Sequence, residues 1–266
     1  MDSKVIYDVF YLLAAILFIL GVKLMAHPRT ARRGNMFGIL GMTIAIVISM
    51  MKANEQLMSP QIFPLFVVGL CCMIGILFGA ILATRVKMTE MPQLVAVFNG
   101  IGGLASVLVA GAALVVATDF SLDENIATAL SGFIGSITFI GSAVAAGKLQ
   151  ELKFFKKGFL LPTFLRHILN LALVCGCGWA GYLLLNASSD QAVLLYVAIC
   201  GLGFILGYTL TAPIGGADMP VVIALLNSYS GLAASATGFV VGSNILIIAG
   251  ALVGASGIIL TSLMCV

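Results

Sequence analysis

Long apolar stretches alternate with short polar segments along the whole chain. Nine of them have close to the about 20 consecutive apolar residues that a helix needs to cross a bilayer. They are predicted to be transmembrane helices 1 to 9, at residues 5–25, 35–51, 62–83, 92–115, 125–147, 161–185, 191–211, 219–240 and 243–264. The first lacks a positively charged start and a small-residue cleavage site, so it is predicted to be a membrane helix and not a signal peptide. The pattern predicts an all-α, polytopic bundle of nine transmembrane helices.

The composition excludes a soluble domain. Hydrophobic residues make up 61% of the chain, charged residues only 9%, and the mean hydropathy is +1.18, whereas a soluble domain carries about 25% charged residues. The net charge of +3 is divided among short loops and gives no indication of nucleic-acid binding. The cysteines lie in apolar stretches without zinc-site spacing, so no metal site is expected and they are predicted to act as small buried hydrophobes. They are Cys71, Cys72, Cys175, Cys177, Cys200 and Cys265.

The basic residues are concentrated on one side of the predicted bundle. Of the 13 Lys and Arg residues, 11 lie in or beside the loops between helices 1 and 2, 3 and 4, and 5 and 6. These are Lys23, Arg29, Arg32, Arg33, Arg85, Lys87, Lys148, Lys153, Lys156, Lys157 and Arg166. The opposite side carries only Lys4 and Lys52, together with the acids Asp119, Asp123 and Glu124. Because cytoplasmic loops are enriched in Lys and Arg, the N-terminus is predicted to lie outside and the C-terminus in the cytoplasm.

One sequence phrase occurs twice in this chain. Residues 90–105 read EMPQLVAVFNGIGGLA, and residues 218–233 read DMPVVIALLNSYSGLA, an offset of 128 positions without a gap. The preceding helices keep the same offset at Cys72 and Cys200, Gly75 and Gly203, and Gly79 and Gly207. Both copies begin on the predicted cytoplasmic side. Helices 3–4 and 7–8 are therefore predicted to be two parallel copies of one hairpin.

Each copy has the pattern of a helix that begins at the membrane surface. Proline is tolerated in a first turn, and an acid before that turn complements the positive helix end. Asn99 and Asn227 follow Pro92 and Pro220 by two turns, which places each amide roughly 10 Å deeper. Each shares a stripe with small residues, namely Gly103 and Ser106 in the first copy, and Ser230, Gly231 and Ala234 in the second.

Two interpretations of the paired asparagines follow from the residues alone. Buried amides commonly join membrane helices, at about 0.6–2 kcal/mol per hydrogen bond. Intramembrane polar groups also line cavities and conduction paths, and two amides at matched depth favour such a path. No Asp, Glu, His, Lys or Arg falls in the middle of a predicted span, and His27 and His167 fall at its edge. The residues thus indicate a conduit without chemistry of its own, with a secondary transporter built on a duplicated helical core as the alternative.

Four motifs carry a family resemblance that extends over essentially the whole chain. They are Lys87-Met-Thr-Glu-Met-Pro-Gln-Leu-Val-Ala, Gly215-Gly-Ala-Asp-Met-Pro-Val-Val, Leu226-Asn-Ser-Tyr-Ser-Gly and Gly250-Ala-Leu-Val-Gly-Ala-Ser-Gly. They resemble the beta subunit of proton-translocating NAD(P) transhydrogenases. The resemblance implies an enzyme that couples proton movement through the membrane to hydride transfer between NADH and NADP⁺ on soluble domains. The family's NADP(H)-binding domain normally follows the last helix, so residues 1–266 are expected to be the transmembrane proton-translocating domain, without a cofactor site and not catalytic alone.

The resemblance also implies roles for particular residues. Asn99, which matches a position that is His in some relatives, Asn227 and Ser142 match the proton pathway. Asp218 matches an acid that couples the membrane domain to the NADP(H) domain, and Glu90 is its counterpart in the first copy. These two acids are expected to gate the cytoplasmic end of the path. Gly250, Gly254, Ser256 and Gly257 match a stripe on helix 9 where close packing influences coupling. Since Asn does not titrate as His does, water ordered by Asn99, Asn227 and Ser142, or a group on a partner, is expected to carry the proton.

The implied partners are the transhydrogenase alpha subunit, with its NAD(H) domain and membrane helices, and the NADP(H)-binding domain. A homodimer of the alpha–beta unit is implied as well. The faces of Gly75 and Gly79, and of Gly203 and Gly207, are candidates for its interface. A separate beta-type chain suggests a multi-pass protein of the bacterial inner membrane.

Overall fold

The computed structural model describes residues 3–56, 62–116, 121–152 and 162–265. Nine long helices occupy these ranges, and each is long and apolar enough to cross a membrane. They are α1 (Ser3–Met25), α2 (Ala31–Gln56), α3 (Ile62–Arg85), α4 (Met91–Val116), α5 (Leu122–Leu149), α6 (Thr163–Leu184), α7 (Ser189–Thr211), α8 (Met219–Val240) and α9 (Asn244–Met264). No strand occurs within the described ranges. The predicted all-α multi-pass architecture is confirmed.

Helix ends extend beyond several of the apolar stretches. The second stretch was predicted at 35–51, but α2 spans Ala31–Gln56, because Arg32, Arg33 and Lys52 are compatible with a helix although they are not apolar. α5 begins at a capping box, in which the Ser121 Oγ accepts from the Glu124 backbone N–H and the Glu124 carboxylate accepts from the Ser121 backbone N–H. Hydropathy therefore located each span, whereas the start of α5 is set by its capping box. The charged residues Asp119, Lys153, Lys156 and Lys157 lie outside the described residues.

The chain divides into two compact units, Met1–Val86 and Lys87–Val266. Within the first unit, α1 and α2 form a closely packed antiparallel hairpin. A Cβ built on Gly34 would lie 2.7 Å from the carbonyl oxygen of Gly21, and one on Gly41 would lie 3.1 Å from that of Ala14. The Tyr11 and Ser49 hydroxyls are hydrogen-bonded at 3.0 Å. α3 exposes large apolar side chains such as Met73 and Ile76.

α5 lies at the centre of the second unit. It packs against α4, α7 and α8, while α9 packs on α8 and α6 packs on α7. The buried positions of α5 are small or polar, and the hydroxyl residues Ser131, Ser136, Thr138 and Ser142 are all completely inaccessible to solvent. Small side chains allow neighbouring helices to approach closely. α5 is consequently the element that positions the polar groups of this unit.

Both acid-Met-Pro segments fold in the same way. A single 3₁₀ turn, Met88–Glu90 or Gly216–Asp218, precedes each helix. The Glu90 N–H donates to the Lys87 carbonyl at 2.9 Å, and the Asp218 N–H donates to the Gly215 carbonyl at 3.2 Å. α4 and α8 then begin at Met91 and Met219, so the predicted helix starts are confirmed.

Two predictions about packing need correction. Only Cys177 and Cys200 are buried, and Cys72 is half-buried. Cys71 of α3, Cys175 of α6 and Cys265, just after α9, are exposed, because no neighbouring side chains of their own unit cover them. The face of Gly203 and Gly207 is not available for a dimer interface, because α5 already covers it. A Cβ on Gly207 would lie 2.6 Å from the Ile137 carbonyl oxygen.

Candidate functional site

A hydrogen bond between Asn99 of α4 and Ser142 of α5 lies at the centre of the candidate site. The Asn99 Nδ2 donates to the Ser142 Oγ at 2.9 Å, and the two residues are 7% and 0% exposed. Glycines beside this pair bring the helices together: a Cβ on Gly100 would lie 3.2 Å from the Ser142 Cβ, and one on Gly103 would lie 2.8 Å from the Gly135 carbonyl oxygen. This close approach allows a side chain as short as Asn to reach the neighbouring helix.

The Asn99 amide is only half satisfied. Its Oδ1 is buried and accepts no hydrogen bond from the described residues, and an unpaired buried acceptor costs about 1–3 kcal/mol. Exchanging the amide oxygen and nitrogen would pair the oxygen with the Ser142 hydroxyl but would leave the nitrogen unpaired. In either orientation, the Asn99–Ser142 pair has one open hydrogen-bonding position.

Asn227 lies on the neighbouring helix α8 and is half-buried. By helical spacing it shares a face with Ile223 and Ser230. Ile223 packs in a buried cluster with Ala96 of α4, and the Ser230 Oγ lies 3.2 Å from where a Cβ on Gly102 would be. The face of α8 that carries Asn227 is therefore directed towards α4, although no hydrogen bond joins Asn227 to Asn99 or Ser142 within the described ranges. The structure brings Asn99 and Ser142 together and leaves Asn227 nearby on α8.

A second polar contact occurs further along the same helices. The Ser131 and Thr237 hydroxyls are 2.6 Å apart, so one of them donates to the other. The hydroxyl whose proton remains free has a backbone acceptor within reach, because the Ser106 carbonyl oxygen lies 3.2 Å from the Ser131 Oγ and the Ala233 carbonyl oxygen lies 2.9 Å from the Thr237 Oγ1. Ser106 lies seven residues after Asn99, roughly 10 Å along α4. The sequence prediction missed Ser131 and Thr237 because they belong to no motif. The recurrence of hydroxyls at 131, 138 and 142 was the available signal.

A third polar contact lies near the start of α4. The Gln93 Nε2 donates to the Leu149 carbonyl at 3.1 Å, and the Gln93 Oε1 is buried without a partner among the described residues. The sequence prediction missed Gln93 as well, although its counterpart 128 positions later is the apolar Val221. We name these three contacts the polar seam. They join Gln93 to the Leu149 carbonyl, Asn99 to Ser142, and Ser131 to Thr237.

The predicted stripe on α9 forms a close crossing with α8. A Cβ on Gly250 would lie 2.5 Å from the Ser235 backbone nitrogen, and one on Gly257 would lie 2.8 Å from that of Ser228. The Ser228 hydroxyl donates to the Gly254 carbonyl at 2.7 Å. Ser256 is different from the three glycines, because it is exposed and donates only to Val253 of its own helix, at 2.9 Å. The crossing is thus built from Gly250, Gly254 and Gly257.

Both predicted gate acids are exposed. Glu90 and Asp218 lie in the two 3₁₀ turns, and the second of these turns packs against the end of α5. Close by, the Lys148 ammonium donates to the Ala212 and Ile214 carbonyls, which follow α7. The sequence prediction used Lys148 only for membrane orientation, since helix spacing alone gives no sign of this contact.

These features define a multi-pass helical membrane protein whose second unit holds a narrow polar seam between α4, α5 and α8. No Asp, Glu, His, Lys or Arg lies in the middle of a span within the described residues. The chain belongs to the NAD(P) transhydrogenase beta subunit family, whose sequence profile matches residues 7–266.

Curated relatives agree with this assignment. NAD(P) transhydrogenase subunit beta of Rhodospirillum rubrum is 40% identical over 263 residues, which cover 96% of this chain and 54% of the relative. A second sequence of that name, from a designated Rhodospirillum rubrum strain, matches with the same identity and coverage. The chain spans about half the length of the curated relatives it matches.

Proposed function

We propose that this chain is the membrane part of a proton-translocating NAD(P) transhydrogenase. In this proposal, residues 1–266 couple proton passage to hydride transfer between NADH and NADP⁺ on soluble domains that bind NAD(H) and NADP(H). Family membership supports the reaction. The observation that carries the assignment of the path is the buried Asn99–Ser142 pair with its open hydrogen-bonding position.

The polar seam supplies groups suited to relaying a proton through water. Ser142 both donates and accepts, and the Asn99 Oδ1 accepts from a water that enters the seam. Neither group holds the proton as an ion, so the charge moves along hydrogen-bonded water or on to a group of the alpha subunit. Because α4 and α5 touch at Gly103 and Gly135, the proposed water path runs on the α8 side, where the half-buried Asn227 lies.

Orientation follows from the distribution of basic residues. With the N-terminus outside the bacterial inner membrane and the C-terminus in the cytoplasm, Gln93 lies at the cytoplasmic end of the seam and Ser131 at its outer end. Asp218 then meets the NADP(H)-binding domain, and Glu90 occupies the equivalent turn of the first copy. The crossing at Gly250, Gly254 and Gly257 transmits movement of α9 to α8. The alpha subunit and a homodimer of alpha–beta units complete the assembly.

The test is made on the complete enzyme in proteoliposomes, with proton uptake and hydride transfer measured together. Asn99→Leu is expected to lower coupled proton uptake about tenfold or more, since losing about 1.4 kcal/mol of stabilisation along a path already slows a step tenfold. Asn227→Leu is expected to act in the same direction with a smaller effect. Val97→Leu, on the exposed side of α4, is the matched control and should behave as the wild type.

Unchanged proton uptake in Asn99→Leu would contradict the proposed path. Uptake of a solute by this chain alone, without nucleotides, would favour the secondary transporter instead.

A further inference from the structure

The cytoplasmic end of α5, by the orientation proposed above, contacts the start of α4 just after the first repeated turn and the segment just before the second. On one side, the Gln93 side chain donates to the Leu149 carbonyl at 3.1 Å. On the other side, the Lys148 ammonium donates to the Ala212 carbonyl and, at 2.5 Å, to the Ile214 carbonyl. Gln93 follows Glu90 by three positions, and Ile214 precedes Asp218 by four. Two adjacent residues of α5 therefore hold the segments that contain the two gate acids.

Lys148 differs from a solvated surface lysine. It is half-buried, in the last turn of α5. Its two acceptors lie just after the C-terminus of α7, where helix carbonyls lack intrahelical donors and the helix dipole is negative. Hydrogen bonds from an ammonium group to carbonyls are stronger than neutral ones. The contact therefore fixes the segment between α7 and the Gly216–Asp218 turn against α5.

Apolar packing at the same place makes the link between α5 and this turn continuous. Ala145 and Ala146 of α5 form a buried cluster with Met219 and Ile223 of α8, and Leu149 and Ile214 pack against it. Met219 directly follows Asp218 and is completely buried. A displacement of Asp218 is therefore resisted both by the Lys148 hydrogen bonds and by this cluster.

α5 connects this contact to the Asn99–Ser142 pair. Ser142 lies six residues before Lys148 on one uninterrupted helix, roughly 9 Å along its axis. We propose that Lys148 is a positioning residue that couples the position of the Asp218 turn to the Asn99–Ser142 pair through α5. This inference rests on the proposed function, because it assigns a role to Lys148 in the coupling of proton passage to hydride transfer.

The test compares Lys148→Met with Lys87→Met in the complete enzyme. Both changes remove one positive charge on the same side, but Lys87 is exposed, precedes the first-copy turn, and makes no side-chain hydrogen bond to the described residues. The measured quantity is the ratio of protons taken up to hydrides transferred in proteoliposomes. We expect this ratio to fall about fivefold or more in Lys148→Met, because about fivefold is the lower end of typical coupling between two sites. In Lys87→Met the ratio should stay at the wild-type value. Lys148→Arg keeps the charge and the donors, and should restore most of the ratio.

Hydrogen–deuterium exchange of the same variants separates positioning from loss of folding. Residues 212–218 should exchange faster in Lys148→Met, with the rest of the second unit unchanged. If Lys148→Met does not accumulate in the membrane, Lys148→Gln, which retains a neutral donor, replaces it in both measurements with a smaller expected change.

The possible outcomes distinguish this inference from the proposed function. A wild-type ratio of protons to hydrides in Lys148→Met, or unchanged exchange at residues 212–218, overturns the role of Lys148. If Asn99→Leu still loses proton uptake in that case, the proposed path remains intact. If Asn99→Leu also pumps normally, the proposed function itself fails.

Discussion

The two copies of the repeated sequence have the same backbone start and different surroundings. In both, a 3₁₀ turn ends at the acid and the long helix begins at the following Met. Asn99 is nevertheless buried and bonded to Ser142, whereas Asn227 is half-buried and bonded to no described residue. Sequence symmetry therefore specifies the local backbone, while the neighbouring helices decide what each side chain does.

The residue after each asparagine accounts for part of this difference. Gly100 follows Asn99 and leaves space for the Ser142 Cβ, which would lie 3.2 Å from a Cβ at that position. The equivalent residue in the second copy is Ser228, whose hydroxyl donates to Gly254 of α9 at 2.7 Å. The first copy thus uses this position to bring α5 close to its amide, and the second copy uses it to bind α9.

Gly79 of α3 and Gly207 of α7, which occupy equivalent positions in the two copies, provide the largest expected contrast in stability. A Cβ at Gly207 would lie 2.6 Å from the Ile137 carbonyl oxygen, whereas within the first unit a Cβ at Gly79 would meet no atom within 4 Å. Gly207→Ala should lower the free energy of unfolding by about 2 kcal/mol, since backbone must shift to admit the methyl group. Gly79→Ala should change it by less than about 0.5 kcal/mol. Unfolding in mixed micelles checks both, and equal losses would refute the contrast between the two faces.

The sequence predicted the features that depend on one helix at a time. Hydropathy placed nine spans, and Pro92 and Pro220 placed two helix starts. The partners of the polar side chains depend on which faces meet, and this is decided by close contacts such as that between Gly103 and Gly135. Ser142 stands out in the sequence because it shares a helix face with Gly135, but its place in the proton pathway came from the family resemblance. The contacts of Gln93, of Lys148 and of the Ser131–Thr237 pair emerged only from the structure, because their partners include backbone carbonyls from distant parts of the chain.

Two buried serines with one hydrogen bond each provide a second, smaller contrast. Ser142→Ala removes the acceptor of the Asn99 amide, which then has neither of its polar atoms paired, and should destabilise the chain by about 1–2 kcal/mol. Ser228→Ala removes only a donor to the Gly254 carbonyl, which also accepts a backbone hydrogen bond within α9. This change should lower the free energy of unfolding by about 0.6 kcal/mol. The same unfolding measurement applies. A larger loss for Ser228→Ala would show that the α9 crossing, and not the polar seam, dominates the stability of this region.

The smallest expected effect concerns the outer contact of the seam. Thr237→Val keeps the shape of the side chain and removes its hydrogen bond to Ser131, which retains the Ser106 carbonyl at 3.2 Å. The expected loss is about 0.6 kcal/mol, the average for such bonds between membrane helices. The equivalent residue of the first copy is Val109, which is exposed, so Val109→Thr adds a hydroxyl without a matched partner and should leave the free energy of unfolding unchanged. The first copy has no equivalent of the Ser131–Thr237 pair. A loss well above 1 kcal/mol in Thr237→Val would mean that this pair joins α5 and α8 more strongly than its single hydrogen bond accounts for.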